Sequence, residues 1–140
     1  MQIPINYKGS DHSYDVSISL FNPLFPDPEN VKGFVESNGY ISLEAEHFSR
    51  KIDRKEAGWK IIEGLGRTGN SVTVLPPTIA GISAVDEILT NSPSLEYDLY
   101  TFTTGKVLLQ LNCSPSNPIN ADYGQRIAVA LDDDPTGNIL

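Results

Sequence analysis

The chain has 140 residues, enough for one domain with a core of its own. Its formal net charge is −8, from 10 Lys and Arg against 18 Asp and Glu. That balance argues against nucleic acid and anionic membrane surfaces as partners and leaves neutral ligands and cations open.

Only 20% of the residues are charged, while 11 Gly and 10 Pro punctuate the chain, so many turns and short strands are expected rather than long helices. The start, from Met1 to Tyr7, reads as folded-domain sequence and not as a leader peptide. No stretch is apolar for long enough to cross a bilayer. Val16 to Phe21 alternates as a short strand, with Val16, Ile18 and Leu20 on one side. The run Asn22-Pro23-Leu24-Phe25-Pro26-Asp27-Pro28 ends it, and its three prolines impose an extended linker. Leu24 and Phe25 give that linker an apolar spot suited to docking on a neighbour. Residues 1–30 are thus expected as an N-terminal strand and linker, and 31–140 as the domain proper.

Gly33 to Asn38 leads through the turn signal Asn38-Gly39 into Tyr40 to Phe48. This second stretch alternates with period two, Ile41, Leu43 and Ala45 on one face and Ser42, Glu44 and Glu46 on the other, so a strand is expected. On a strand, Glu44 and Glu46 stand about 7 Å apart at Cα, because each residue rises ~3.4 Å. Such a pair calls for something positive against it: a hard cation, a guanidinium from Arg50 or Arg67, or water. His47 falls on the Ile41 face and reads as a core or rim histidine. Neither it nor His12 has a Ser or Cys partner or metal-ligand spacing in the sequence.

Ser49 to Ala57 carries Arg50, Lys51, Asp53, Arg54, Lys55 and Glu56 and is expected as a solvated loop. Gly58 to Glu63 reads as a strand, and its Trp59 is either core or a stacking platform for a sugar. Gly64-Leu65-Gly66-Arg67-Thr68-Gly69-Asn70 is glycine-rich, but no Gly-Lys-Ser/Thr and no helix follow it. It therefore reads as a tight turn with positive φ whose carbonyls are free to face a cation. Ser71 to Leu75 is the next strand, closed by Pro76-Pro77. Ser83-Ala84-Val85-Asp86 resembles a capping box, which predicts one or two helical turns over Ala84 to Leu89.

Ser94 to Phe102 reads as a long strand that turns at Thr104-Gly105 into Lys106 to Asn112, a β-hairpin with Val107, Leu109 and Leu111 inward. Cys113 is the only cysteine, so no intrachain disulfide can form, and it reads as a small buried hydrophobe. Asn112-Cys113-Ser114 fits the N-glycosylation sequon, a short motif that chance also explains. Ser114 to Gly124 is a polar loop, and Arg126 to Asp132 the last strand. Both ends of the chain read as cut from something larger. Taken together, the pattern predicts an all-β fold, an antiparallel β-sandwich.

Several motifs in order carry a family resemblance: Lys32-Gly33-Phe34-Val35-Glu36 through Glu44-Ala45-Glu46-His47-Phe48, then Trp59 with Gly64-Leu65-Gly66-Arg67-Thr68-Gly69, then Ser94-Leu95-Glu96-Tyr97-Asp98. Over about Val16 to Asp133 the chain resembles the C-terminal domain of family 115 glycoside hydrolases, which are xylan α-1,2-glucuronidases. The resemblance implies a jelly-roll, carbohydrate-binding-module-like sandwich appended to a catalytic barrel. Such a domain carries no catalytic residue and is associated with packing and dimer contacts. It implies an extracellular or periplasmic setting within a parent enzyme. The family domain usually runs further, so terminal strands are expected to be missing here. The Glu-Ala-Glu segment also resembles the opening of family 6 and 35 carbohydrate-binding modules, where two Glu side chains help hold a structural Ca²⁺. That implies Glu44 and Glu46 as ligands, with a carbonyl from Arg67 to Asn70. A further ligand usual near the C-terminus of such modules has no counterpart here.

Three functions compete on this reading. The first is a non-catalytic accessory domain that docks on the catalytic domain or makes a homodimer. The second is a carbohydrate-binding module for xylan or glucuronoxylan, with Trp59, Tyr100, Phe102 and Tyr123 to stack and Arg67, Asn120, Asp122 and Arg126 at the edges; an Arg pairs readily with a uronate carboxylate. The third is an enzyme in its own right. Glycosidase carboxylates flank the bond from opposite sides, about 5 Å or about 6.5–9.5 Å apart. Glu44 and Glu46, neighbours on one strand face, do not straddle a sugar, so catalysis by the chain itself is not expected.

Overall fold

Asn38 and Gly39 both have positive φ, 53° and 84°, and reverse the chain so that Ser37 and Tyr40 exchange backbone hydrogen bonds of 2.9 and 3.2 Å. This is the turn expected from the Asn-Gly pair, whose short polar and hydrogen side chains tolerate the left-handed region. The computed structural model describes residues 18, 25–82, 84–115, 117, 125–132 and 138–139.

The chain divides into two compact units, Met1–Val31 and Lys32–Leu140. In the first, Pro28–Asn30 forms a single 3-10 turn capped by Asp27, whose carboxylate accepts from Glu29 N–H at 3.2 Å. The Phe25–Pro26 peptide is cis. Phe25 is 83% exposed. Apart from Ile18, the expected strand from Val16 to Phe21 lies outside the described residues, as does Leu24.

The second unit is all-β, as expected. Its strands are β1 (Phe34–Val35), β2 (Arg50–Ile52), β3 (Gly58–Ile62), β4 (Ser71–Leu75), β5 (Ser94–Glu96), β6 (Leu99–Tyr100), β7 (Ala128–Val129) and β8 (Asn138–Ile139). One short helix, α1 (Ile88–Asn91), follows a 3-10 turn at Val85–Glu87, close to the predicted helical turns. Ser83, the expected cap, is outside the described residues.

The strands pair in two-stranded ladders, and the first three pairs are nested. β3 and β4 form the innermost, antiparallel hairpin, with Trp59 opposite Val74 and Ile61 opposite Val72. β-branched and aromatic residues dominate it, and such cross-strand pairs stabilise a ladder. Around it, β2 pairs antiparallel with β5, Lys51 opposite Leu95. Around both, β1 pairs parallel with β6, Phe34 opposite Leu99. β7 and β8 pair separately and antiparallel. Buried apolar residues among those described are Ala57, at the start of the inner hairpin, and Ile88, on α1.

Five expectations need correction. Tyr40 to Phe48 is not a strand: Ala45-Glu46 makes a turn, closed by His47 N–H on Glu44 C=O at 3.0 Å. The Ala45 carbonyl is taken instead by the Tyr97 hydroxyl at 2.7 Å. Ser49 to Ala57 is not an open loop. Its first part is β2, and Arg54 to Ala57 is a tight turn with Lys55 at φ 52°. The run is solvated as expected, with Arg50, Asp53, Arg54, Lys55 and Glu56 exposed, but its first part is laddered, with Arg50 opposite and paired to Glu96.

Ser94 to Phe102 is two strands, because the chain changes partner at Asp98. Its N–H goes to Ser49 Oγ at 2.9 Å and its carbonyl accepts from Phe34 at 2.9 Å, passing the chain from β2 to β1. The Thr104-Gly105 hairpin is also absent. The N–H groups of Phe102 and Thr103, which would begin its ladder, are held by the Glu36 carboxylate. Val107 and Leu108 are accordingly 77% and 94% exposed, and Cys113 is exposed rather than buried.

Candidate functional site

The acidic pair and the glycine-rich loop meet. The side chain of Glu44 accepts a short hydrogen bond from the Thr68 hydroxyl. Glu46 Oε1 accepts the Asn70 backbone N–H at 2.7 Å. The loop closes on itself as well, with Gly66 N–H on Gly69 C=O at 3.0 Å and Gly64 N–H on the Asn70 side-chain carbonyl at 3.0 Å. Gly64 has φ 69°, the positive value expected of this turn.

Glycine at 69 leaves the space the carboxylate occupies. A Cβ there would lie 2.5 Å from Glu46 Oε1. The loop's sequence thus makes the cradle, and the turn at Ala45-Glu46 delivers the acid into it. The Asn70 N–H holds the Glu46 carboxyl below the ordinary carboxylate range, and the charge of His47 adds to this. The second oxygen, Oε2, is buried and has no hydrogen-bond partner among the described residues. Tyr97, whose hydroxyl pins the turn from the other side, is pushed up by burial and by the charge of Glu46. An anionic oxygen buried without a partner is costly unless a cation or water meets it.

Neither guanidinium expected near this pair is bonded to it. Arg50 is held by Glu96, which raises its pKa, and Arg67 is exposed at the loop tip with no ion pair among the described residues. Among the described residues, no three His, Cys, Asp or Glu side chains gather, so a cation here would also need carbonyl oxygens.

Trp59, Tyr100 and Arg126, expected to contact sugar, are engaged within the protein. Trp59 is half-buried in β3 and its indole N–H donates to the Pro93 carbonyl at 2.9 Å. Tyr100 packs edge-to-face on Phe102, ring centres 5.2 Å apart. The Arg126 guanidinium bonds the Ile82 carbonyl. Tyr123, Asn120 and Asp122 lie outside the described residues. His47 is exposed.

Two residues matter here that sequence reasoning does not single out. Tyr97 carries no sign of its bond to Ala45. Glu36 does carry one. It follows half-buried Phe34 and exposed Val35, so alternation turns a charged side chain inward. The structure buries it, 7% exposed, against Phe102 and Thr103.

Nested strand pairs, little helix and an acidic pair used to hold the protein's own loop define an all-β domain. A profile of the glycosyl hydrolase family 115 C-terminal domain matches residues 33–139. The chain belongs to that family, an accessory part of a glycoside hydrolase and not its catalytic one. No curated protein and no solved structure matches it. No helix among the described residues is long and apolar enough to cross a membrane.

Proposed function

We propose that the chain is the non-catalytic C-terminal β-sandwich domain of a xylan α-1,2-glucuronidase, acting outside the cytoplasm in hemicellulose degradation. Its work is structural: it docks on the catalytic part of the parent enzyme and contributes to the homodimer. The observation that carries this reading is the family match across residues 33–139. The use made of Glu44 and Glu46 agrees with it. Each carboxylate has one oxygen committed to the Thr68 to Asn70 segment, which is a holding role and not that of an acid–base pair.

The same pair supports a structural Ca²⁺. Among the described residues Glu46 Oε2 is a buried carboxylate oxygen without a hydrogen-bond partner, and Glu44 bonds the same loop, so two hard oxygen donors of the kind calcium takes sit together there. Bound there, the ion would neutralise the two carboxylates and tie them to the loop.

The test is the parent enzyme with and without this domain, measured by size-exclusion chromatography and by release of glucuronic acid from xylan. A smaller assembly or a lower melting temperature on deletion, with no hydrolysis by the domain alone, is expected. An unchanged oligomer, stability and activity would overturn the reading. Saturable binding of xylan oligosaccharides to the isolated chain would replace it with a carbohydrate-binding one.

A further inference from the structure

Two neighbouring segments carry the marks of a hairpin that they do not form. The Asp98 and Tyr100 carbonyls accept from the N–H groups of Phe34 and Glu36, at 2.9 and 2.8 Å. Backbone groups alternate sides along a strand, so those of Leu99 and Thr101 face away from β1. Among the described residues β6 has no strand on that side. Beyond the turn signal at Thr104-Gly105, Lys106 to Asn112 forms no strand and makes no backbone hydrogen bond among the described residues. Its Val107, Leu108, Leu109 and Leu111 are exposed.

The two segments match in register. A two-residue turn at Thr104-Gly105 sets Thr103 opposite Lys106, Thr101 opposite Leu108 and Leu99 opposite Gln110 as the hydrogen-bonded pairs. These use the outward edge of β6. The same turn sets Phe102 opposite Val107 and Tyr100 opposite Leu109. Tyr100 and Phe102 are half-buried and already lie together edge-to-face, ring centres 5.2 Å apart. They offer the aromatic half of two aromatic–aliphatic pairs of the kind that stabilises a ladder. Gly105 already has φ 148°, a value open to glycine.

One carboxylate stands in the way. The first rung needs the Thr103 N–H turned toward Lys106, but Glu36 Oε2 takes it at 2.9 Å, together with the Phe102 N–H at 2.7 Å. Successive N–H groups of a strand point to opposite sides, so a single acceptor for both bends the chain out of the ladder. The Thr103 hydroxyl on Oε1, at 2.8 Å, fixes the bend. Glu36 is buried, and hydrogen bonds to an ionised acceptor are the strong ones.

We propose that Glu36 is a latch: ionised, it holds residues 102–103 bent and 106–112 open, and neutralised by a proton it releases them to close as a hairpin on the outward edge of β6. The main influences on its charge state are the Thr103 N–H and hydroxyl and the Phe102 N–H, which favour the carboxylate, and burial, which opposes it; no charged side chain is among them. The latch therefore opens on the acid side of the ordinary carboxylate value. Closing covers Val107 and Leu109 and pairs a strand edge that is otherwise open to other chains.

The experiment is amide exchange read residue by residue by NMR, on the unsubstituted chain and on Glu36→Gln at neutral pH. In Glu36→Gln the N–H groups of Lys106, Leu108 and Gln110 are expected to exchange roughly tenfold more slowly, with those of Val107 and Leu109 unchanged. That alternation marks a ladder, and the loss of a structural contact alone would not produce it. Adding Gly105→Val, which denies the turn its positive φ, should remove the protection. In the unsubstituted chain a cross-strand nuclear Overhauser effect between the Phe102 and Val107 Hα atoms should appear as the pH is lowered from about 7 to about 3. This titration decides the outcome should Glu36→Gln lose the exchange protection of β3 and β4. Unchanged exchange at 106, 108 and 110 in a folded Glu36→Gln, or no Phe102–Val107 contact at any pH, would overturn the inference. So would equal protection of all five amides, which marks association rather than a hairpin, or protection of Lys106, Leu108 and Gln110 with Glu36 ionised.

Discussion

Glu36 grips Thr103 with both oxygens of its carboxylate: Oε2 accepts the Thr103 N–H at 2.9 Å and Oε1 the Thr103 hydroxyl at 2.8 Å. Oε2 also accepts the Phe102 N–H at 2.7 Å. The acid leaves β1 and clasps the chain just beyond β6, closing the parallel ladder at one end. Thr103 N–H and hydroxyl together hold the carboxyl below its ordinary value of 4.5.

A depressed carboxyl pKa fixes the sign of the pH dependence. Stability from Glu36 is present in full above 4.5 and is lost as pH falls through its lower folded value. Glu46 shifts in the same direction, so the two losses add. The melting temperature is expected to hold level above that range and to fall on further acidification. Glu36→Gln should lower it at neutral pH and flatten the acid limb. Melting curves that run parallel for the two proteins at every pH would contradict this.

Gly33→Ala is expected to be far more damaging than Gly69→Ala. At Gly33, φ is 80° and a Cβ would run into the Asp98 carbonyl oxygen, a backbone atom that cannot withdraw without opening β1 from β6. At Gly69 the obstacle is the end of the Glu46 side chain, which can swing away at the expense of its bond to Asn70. In a Glu46→Ala background Gly69→Ala should therefore cost less, and a double-mutant cycle by urea unfolding reads that coupling.

Trp59→Phe should cost about 1 kcal/mol, the net value of the indole hydrogen bond to Pro93 with most of the ring packing retained. Chemical denaturation measures it. An undiminished stability would place Trp59 outside the fold's hydrogen bonding and leave it free to act as a ligand platform.

Calcium should raise the melting temperature of the chain, and EDTA should reverse the rise. Glu46→Gln should abolish most of the response, since it replaces the buried unpartnered anion with an amide. A response of equal size in Glu46→Gln would place the ion elsewhere.

Much of the β3–β4 region was legible because its signals are local. Asn38-Gly39, the glycines at 64 and 69 and the alternation from Gly58 to Leu75 each depend on near neighbours in the chain. That the acidic pair and the glycine-rich loop come together agrees with the cation site the resemblance implied, but the direct bonds from the Thr68 hydroxyl and the Asn70 N–H were not foreseen. What escaped were choices decided across long separations. Ser94 to Phe102 alternates well enough for one strand, and only the competing partners Ser49 and Phe34 split it at Asp98. Likewise, nothing near Thr104-Gly105 warns that Glu36 takes the N–H groups a hairpin would need. Tyr40 to Phe48 shows the same limit, for period-two alternation describes a chain suited to a ladder but cannot supply the neighbour.

The nesting of β1–β6 around β2–β5 around β3–β4 also sets an order of assembly. During synthesis β3 can meet β4 as soon as Leu75 has emerged, because the hairpin closes over a short loop. β2 must wait for Ser94, and β1 for Leu99, the last of the three to arrive. Each inner pair shortens the span the next must bridge, so the ladders can form in order from the innermost hairpin outward. A nascent chain stalled before Leu99 would leave the ribosome with the first strand still unmated.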